Sequence, residues 1–336
     1  MDYDITALKG DDGKPAVFFI HGLGMDKKIW VSPDDSTILG GQFPLGLILA
    51  RKPATQVKDA EEDPDMSRGL SLGLPPRNLS TLFHLLRDRG YPVIAWSQKR
   101  PSARIGVAVS ELRDVTAHYR KYCKAGAILI GHSRGGLVAR EYLRDANVRV
   151  KALITLATPH RGSGLARWTK YVAPLVAFLG PLLPDSEKGT LRYAVRRLFD
   201  FLQSPAVKEL LPDSQFFKSL RDGPSDGTCY ISAGGSDPTL LTVYKKVIER
   251  AEYGDRERFV VSAQTLFSIP EVFERIIPEK FYPEEMKRGK GDGLVSVESS
   301  RIPWSRDHAV YDVNHAGILF DEEAKAGIME VLKEIG

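Results

Sequence analysis

The chain of 336 residues is 43% apolar and 27% charged, a balance that suits a large packed α/β domain or a core with an inserted cap and argues against disorder. Its formal net charge of +4 comes from scattered Lys and Arg, which makes no electrostatic case for nucleic acid but would tolerate an anionic lipid surface. Cys123 and Cys229 have neither metal-ligand nor redox spacing and read as two buried free thiols. The start, Met1-Asp2-Tyr3-Asp4-Ile5-Thr6, has no basic n-region or apolar h-region, and the charge-free stretch from Tyr171 to Leu183 is too short to span a bilayer. The expected location is therefore cytoplasmic.

In chain order, Ala16-Val17-Phe18-Phe19-Ile20 predicts a buried strand that opens into the glycine loop His21-Gly22-Leu23-Gly24. Residues 31–77 break the pattern with Gly/Pro clusters and an acidic tract, predicting an irregular insertion that is partly mobile. A helix is expected from Asn78 to Arg89, a strand from Pro92 to Trp96 and a helix from Ala103 to Tyr122. Strands follow at 127–130, 150–156 and 229–233, with a last one at 308–313 before a helix over 321–335. The alternation predicts a mostly parallel sheet with helices on both faces. Two further insertions interrupt it: an apolar helical cap over 162–227 and a segment over 237–288. The core is then divided into 1–161 and 228–336.

Gly131-His132-Ser133-Arg134-Gly135 is a G-x-S-x-G pentapeptide, preceded by a continuous apolar run and followed by an amphipathic helical pattern. That context sets a serine on a sharp strand-to-helix turn, with its hydroxyl at a helix N-terminus beyond the carboxyl end of a sheet strand. A serine nucleophile needs a base and a group to orient the base, in the chain order serine, acid, histidine. His315, just past the last strand, is the candidate base. His308 opens that strand at its far end and reads as solvated, and His160 precedes any plausible acid and reads as structural. Asp292, in the tight turn Gly291-Asp292-Gly293, is the leading acid, with Asp237 as competitor, while Asp312 lies within a strand. The candidate oxyanion donors are the backbone amides of Arg134, which opens the helix after the nucleophile, and Leu23, in the glycine loop.

These residues carry a resemblance. His21-Gly22-Leu23-Gly24, Gly131 to Arg140, Thr158-Pro159-His160-Arg161-Gly162-Ser163, Asp292-Gly293-Leu294-Val295 and Asn314-His315 make the chain similar to α/β-hydrolases of the lipase type, among them bacterial triacylglycerol lipases and GPI-inositol-deacylase-like acylhydrolases. The resemblance runs from about residue 14 to the C-terminus and fails over 31–77. It implies the α/β-hydrolase fold with an inserted helical cap, and a triad of Ser133, Asp292 and His315. Some bacterial lipases carry a calcium-binding aspartate two residues after the catalytic histidine. Gly317 stands at that place, so no metal is expected, and no organic cofactor either.

The cap segment from Trp168 to Leu202, continued by Phe216, Phe217 and Leu220, is rich in apolar residues and favours an acyl chain over a polar substrate. Lys170, Lys188, Arg192, Arg196 and Arg197 flank it and read first as a solvated face, with contact to phosphate headgroups as the second reading. The expected activity is hydrolysis of acyl esters, of lipid type, through an acyl-enzyme, with transient contact to a lipid surface. An acyltransferase or thioesterase using the same triad is the alternative, and a binding module that has kept a hydrolase fold is a third reading.

Overall fold

The structure, a computed structural model, describes residues 2–38, 43–59, 70–164, 204–220, 223–253 and 256–335. The chain lays down β1 (Ile5–Leu8) and β2 (Ala16–Ile20), then four short strands, β3 (Thr37–Ile38), β4 (Phe43–Pro44), β5 (Gln56–Asp59) and β6 (Leu70–Ser71). Helix α1 (Leu82–Asp88) leads to β7 (Val93–Trp96), α2 (Ile105–His118) to β8 (Ala127–His132), and α3 (Arg134–Tyr142) to β9 (Val150–Leu156). Further along come β10 (Cys229–Gly235), the antiparallel pair β11 (Leu241–Tyr253) and β12 (Arg256–Ile269), then β13 (Asp307–Tyr311) and α4 (Glu322–Ile335).

The main sheet has the order β1-β7-β2-β8-β9-β10-β13, parallel throughout except for the antiparallel β1–β7 edge. Parallel neighbours need crossover connections, and the helices supply them. The two-residue period of β2 divides its side chains between two cores. Val17 and Phe19 meet Leu82, Phe83 and Leu86 of α1 and Ile328 and Leu332 of α4 on one face. Phe18 and Ile20 meet Ile105 and Leu112 of α2 and Leu137 and Val138 of α3 on the other. Burial of each such side chain stabilises the fold by about 1.5–3 kcal/mol.

The boundary of α1 differs from the sequence reading. Asn78 takes a left-handed backbone, φ 59°, so it cannot open the helix. Thr81 caps instead: its hydroxyl oxygen accepts the Phe83 N–H at 3.2 Å, and His84 Nδ1 accepts the Thr81 N–H at 3.2 Å, closing a capping box.

The larger departure is in the insertions. Residues 31–77 do not read as irregular where they are described: β5 pairs with β12 and β6 with β11, giving a four-stranded antiparallel sheet of order β5-β12-β11-β6. The insertions over 31–77 and 237–288 therefore build one unit. Beside it Val243, Phe267, Val272, Phe273, Tyr282 and Met286 form a third apolar cluster.

Of the expected cap, Trp168 to Leu202 and the five flanking basic residues lie outside the described residues. Helices Pro205–Glu209 and Gln215–Ser219 are described. Phe216 and Phe217 pack on the α2–α3 core, and Glu209 Oε2 accepts the Ile105 N–H at 2.7 Å, satisfying a free donor at the start of α2. Cys123 and Cys229 are free but only half-buried, because each borders an open groove on the surface. Among the described residues no helix is long and apolar enough to cross a membrane.

Candidate active site

The serine turn follows from three close approaches. Ser133 holds φ 54° and ψ −129°, a conformation that costs a non-glycine residue about 1–3 kcal/mol. It is pinned there by its N–H on the Leu156 carbonyl at 2.8 Å and by its own carbonyl, which accepts the Gly136 N–H at 3.0 Å. A Cβ on Gly131 would lie 2.5 Å from Gly136 Cα, and one on Gly135 would strike the Ile20 carbonyl oxygen, so both motif glycines are required for α3 to cross β2 and β8. The Arg134 amide is the first of α3 and has no acceptor within its own helix.

Asp292 and His315 are brought together. Asp292 is fully buried; its Oδ1 accepts the Leu294 N–H at 2.9 Å and the Val295 N–H at 2.7 Å. Its Oδ2 is left for His315 Nδ1, at 2.9 Å. Gly293, at φ 93°, makes that tight turn possible. The His315 N–H also donates to the Asp292 carbonyl at 2.9 Å, so backbone and side chain hold the pair in register. With Nδ1–H given to the carboxylate, His315 Nε2 is the nitrogen available to accept a proton.

The rival acids are committed elsewhere. Asp237 Oδ1 accepts from the Thr239 N–H at 3.1 Å and hydroxyl at 2.7 Å, with Arg288 at 3.4 Å. Asp312 is exposed and faces Arg288. His308 is not solvated as its sequence position suggests. Its Nδ1 lies 2.9 Å from Ser232 Oγ and its ring is half-buried, because β13 lays the start of its strand against β10. His160 has the structural role expected of it: Nε2 meets Thr155 Oγ1 at 3.0 Å, and its carbonyl accepts from Arg140 at 3.1 Å. Burial holds its pKa well below the usual value.

The glycine loop runs against the serine, since a Cβ on Gly22 would sit 3.0 Å from Ser133 Cβ. Leu23 is the next residue, half-buried at the rim of the site. His21 below it is buried, and burial pushes its pKa down to about 4, so it is neutral.

Four side chains at the site, His132, Asn314, Glu285 and Ser163, have roles that the sequence alone does not assign. His132 donates Nε2–H to the His315 carbonyl at 2.9 Å and packs its ring against that of His315, with centroids 4.9 Å apart. Burial, then the neighbouring His315, lowers its pKa to about 3. Asn314 donates to the carbonyls of Ile48 at 3.1 Å and Thr239 at 2.8 Å, tying both insertions to the loop that carries His315. Glu285 accepts the Gly164 N–H at 2.7 Å, and Ser163 Oγ donates to the Leu294 carbonyl at 2.7 Å, fastening residues 163–164 to the Asp292 turn. Among the described residues no group of three or more His, Cys, Asp or Glu side chains is arranged to hold a metal ion.

A family model described as "Alpha/beta hydrolase family" matches residues 69–318. No curated protein matches the sequence. Among solved structures, the chain is similar to the Bacillus licheniformis lipase BlEst2. The propeptide form is 18% identical at a TM-score of 0.51, over 98% of this chain and 53% of that one. The chain thus spans about half the length of that form. The mature form is 17% identical at a TM-score of 0.50, over 98% and 97%. Likeness at this identity speaks for the fold.

Proposed function

The chain belongs to the alpha/beta hydrolase family, and from that premise we propose that it is a serine hydrolase of carboxylic esters working through an acyl-enzyme. Ser133 Oγ attacks the ester carbonyl while His315 Nε2 takes its proton, and Asp292 stabilises the imidazolium that forms. The amides of Arg134 and Leu23 bind the oxyanion of the tetrahedral intermediate. As the intermediate collapses, His315 returns the proton to the leaving alcohol and the acyl group stays on Ser133. Water, deprotonated by His315, then attacks the acyl-enzyme and releases the acid.

The observation that carries this reading is the buried Asp292–His315 pair at 2.9 Å, set beside a serine turn at φ 54°. The His132–His315 ring contact at 4.9 Å supports placing base and nucleophile side by side. The apolar sequence of the cap and the likeness to lipases favour lipid-type acyl esters, met at a lipid surface.

Hydrolysis of nitrophenyl esters over a series of acyl lengths tests the proposal. Wild type is expected to prefer chains longer than acetyl, and Ser133→Ala to lose about four to six orders of magnitude in kcat. Full turnover by Ser133→Ala contradicts the nucleophile. A maximum at acetyl contradicts the lipid-type substrate, and product made only when an alcohol or thiol acceptor is added points to acyl transfer instead.

A further inference from the structure

The two candidate oxyanion donors come from different parts of the chain. Leu23 sits on the loop after β2, and Arg134 opens α3. Both must point at one oxygen from about 3 Å, and a misplacement of about 1 Å can cost about a hundredfold in rate. We infer that Gln98, together with the side chain of Arg134, is a positioning element that locks these two donors to each other. The inference rests on the hydrolytic reading above and deepens it.

Gln98 lies two residues past β7, is 6% exposed and commits both side-chain polar atoms and its backbone N–H to this connection. Its Oε1 accepts from Arg134 Nη1 at 3.0 Å, its Nε2 donates to the His21 carbonyl at 3.3 Å, and its backbone N–H donates to His21 Nε2 at 3.0 Å. His21 Nδ1–H then donates to the Gly22 carbonyl at 2.9 Å, one residue before Leu23. The amide orientation of Gln98 is fixed by its partners, because a flipped amide would set donor on donor and acceptor on acceptor. Arg134 is anchored at its other end by Nη2 on the Ala103 carbonyl at 2.6 Å. The residue whose amide is one donor thus reaches, through its own side chain and Gln98, to the loop that holds the other.

Packing alone does not explain Arg134. Its side chain is 1% exposed, it forms no ion pair among the described residues, and its Nε has no hydrogen-bond partner. Burial lowers its pKa only to about 10, so the guanidinium stays charged at neutral pH. A buried guanidinium with no carboxylate at ion-pair distance, only the more distant Glu209 and Glu111, is an expensive way to fill a core, and Met or Leu would fill it more cheaply. The electrostatics of the neighbourhood keep the other end neutral: burial holds the His21 pKa near 4, so its Nε2 keeps the lone pair that Gln98 needs.

Three variants test this: Gln98→Leu, Arg134→Met and Gln98→Glu. The first two each break the connection, and each is expected to lower kcat by about tenfold to a hundredfold with KM within about twofold. The double variant Gln98→Leu/Arg134→Met should be no slower than the slower single, because both remove one connection. Gln98→Glu keeps an acceptor for Arg134 and gains a buried ion pair, so it guards against a Leu variant that does not fold. It loses the donor to His21 and should remain slow despite an unchanged unfolding midpoint. Amide hydrogen exchange over the peptide holding Ile20 to Gly24 should speed up in all three variants. Wild-type kcat and wild-type exchange in the variants would overturn the inference, as would losses that multiply in the double variant. Exchange is read without turnover, so inactivity of the wild-type protein toward every ester would sink the hydrolase reading while leaving the connection to be judged on its own.

Discussion

The main sheet carries the candidate site on strands sealed on both faces: every residue of β2, β7 and β8 is buried. The sheet shared by the two insertions leaves Val57, Leu70 and Leu266 at 44–50% exposure, and its strands belong to segments far apart in sequence. The first sheet gives the candidate residues a rigid frame, with Ser133, Asp292 and His315 all beyond carboxyl strand ends. The insertions that carry the second sheet meet the His315 loop at Asn314, whose side chain bonds Ile48 and Thr239, and meet the Asp292 turn at Glu285, whose carbonyl accepts the Gly293 N–H at 2.8 Å. Activity should therefore be extremely sensitive to the first sheet's loops and nearly indifferent to the second sheet's exposed face.

The sharpest way to break that contrast is the choice of acid. Asp292→Asn is expected to lower kcat about ten-thousandfold, because His315 would lose the carboxylate that fixes its tautomer, whereas Asp237→Asn should stay within about threefold. Equal losses in ester hydrolysis would remove Asp292 from its role. Next comes stability. Phe18→Ala hollows the α2–α3 face of the main sheet and should cost about 3–5 kcal/mol in chemical unfolding, while Val57→Ser on the second sheet should move it by no more than about 0.5 kcal/mol. Asn314→Ala sits where the regions join. It is expected to cost about 1–3 kcal/mol and to lower kcat about tenfold, since the His315 loop loses two anchors.

The last contrast is in pH, read as a slope of stability. His21 and His132 have folded pKa values of about 4 and about 3, both below the usual 6.5. Each is neutral in the fold and gains a proton on unfolding below pH 6.5, so the stability it contributes is complete above 6.5 and is lost as pH falls toward the folded value. Each residue adds about 1.4 kcal/mol per pH unit to the slope between about pH 6 and 4. His132→Phe should flatten the measured slope by one proton, and an unchanged slope would mean His132 is already protonated in the fold.

Much of the main sheet was legible because its signals are local. A five-residue apolar run, a G-x-S-x-G turn and a Gly-Asp-Gly turn each declare themselves within a few residues, and the glycines flanking Asp292 rank it above Asp237, which has the same place in chain order. The second sheet was not legible, since pairing of β5 with β12 joins residues 56–59 to residues 258–261, and no window of sequence contains both. The same holds for Gln98 and His132. Gln98 looks like any loop glutamine until the fold sets it between His21 and Arg134. His132 is an unspecified position of the motif until its ring meets His315. Asn78 misled for a different reason: it is a good helix cap by type, but its backbone is left-handed and Thr81 takes the role.

The central claim is that Ser133 is a nucleophile activated by the Asp292–His315 pair. Reaction with a fluorophosphonate followed by peptide mass spectrometry tests it most directly. One adduct per chain is expected, on the peptide containing Ser133, abolished in Ser133→Ala and slowed by orders of magnitude in Asp292→Asn. Labelling that persists in Ser133→Ala, or that proceeds at the wild-type rate in Asp292→Asn, would contradict it.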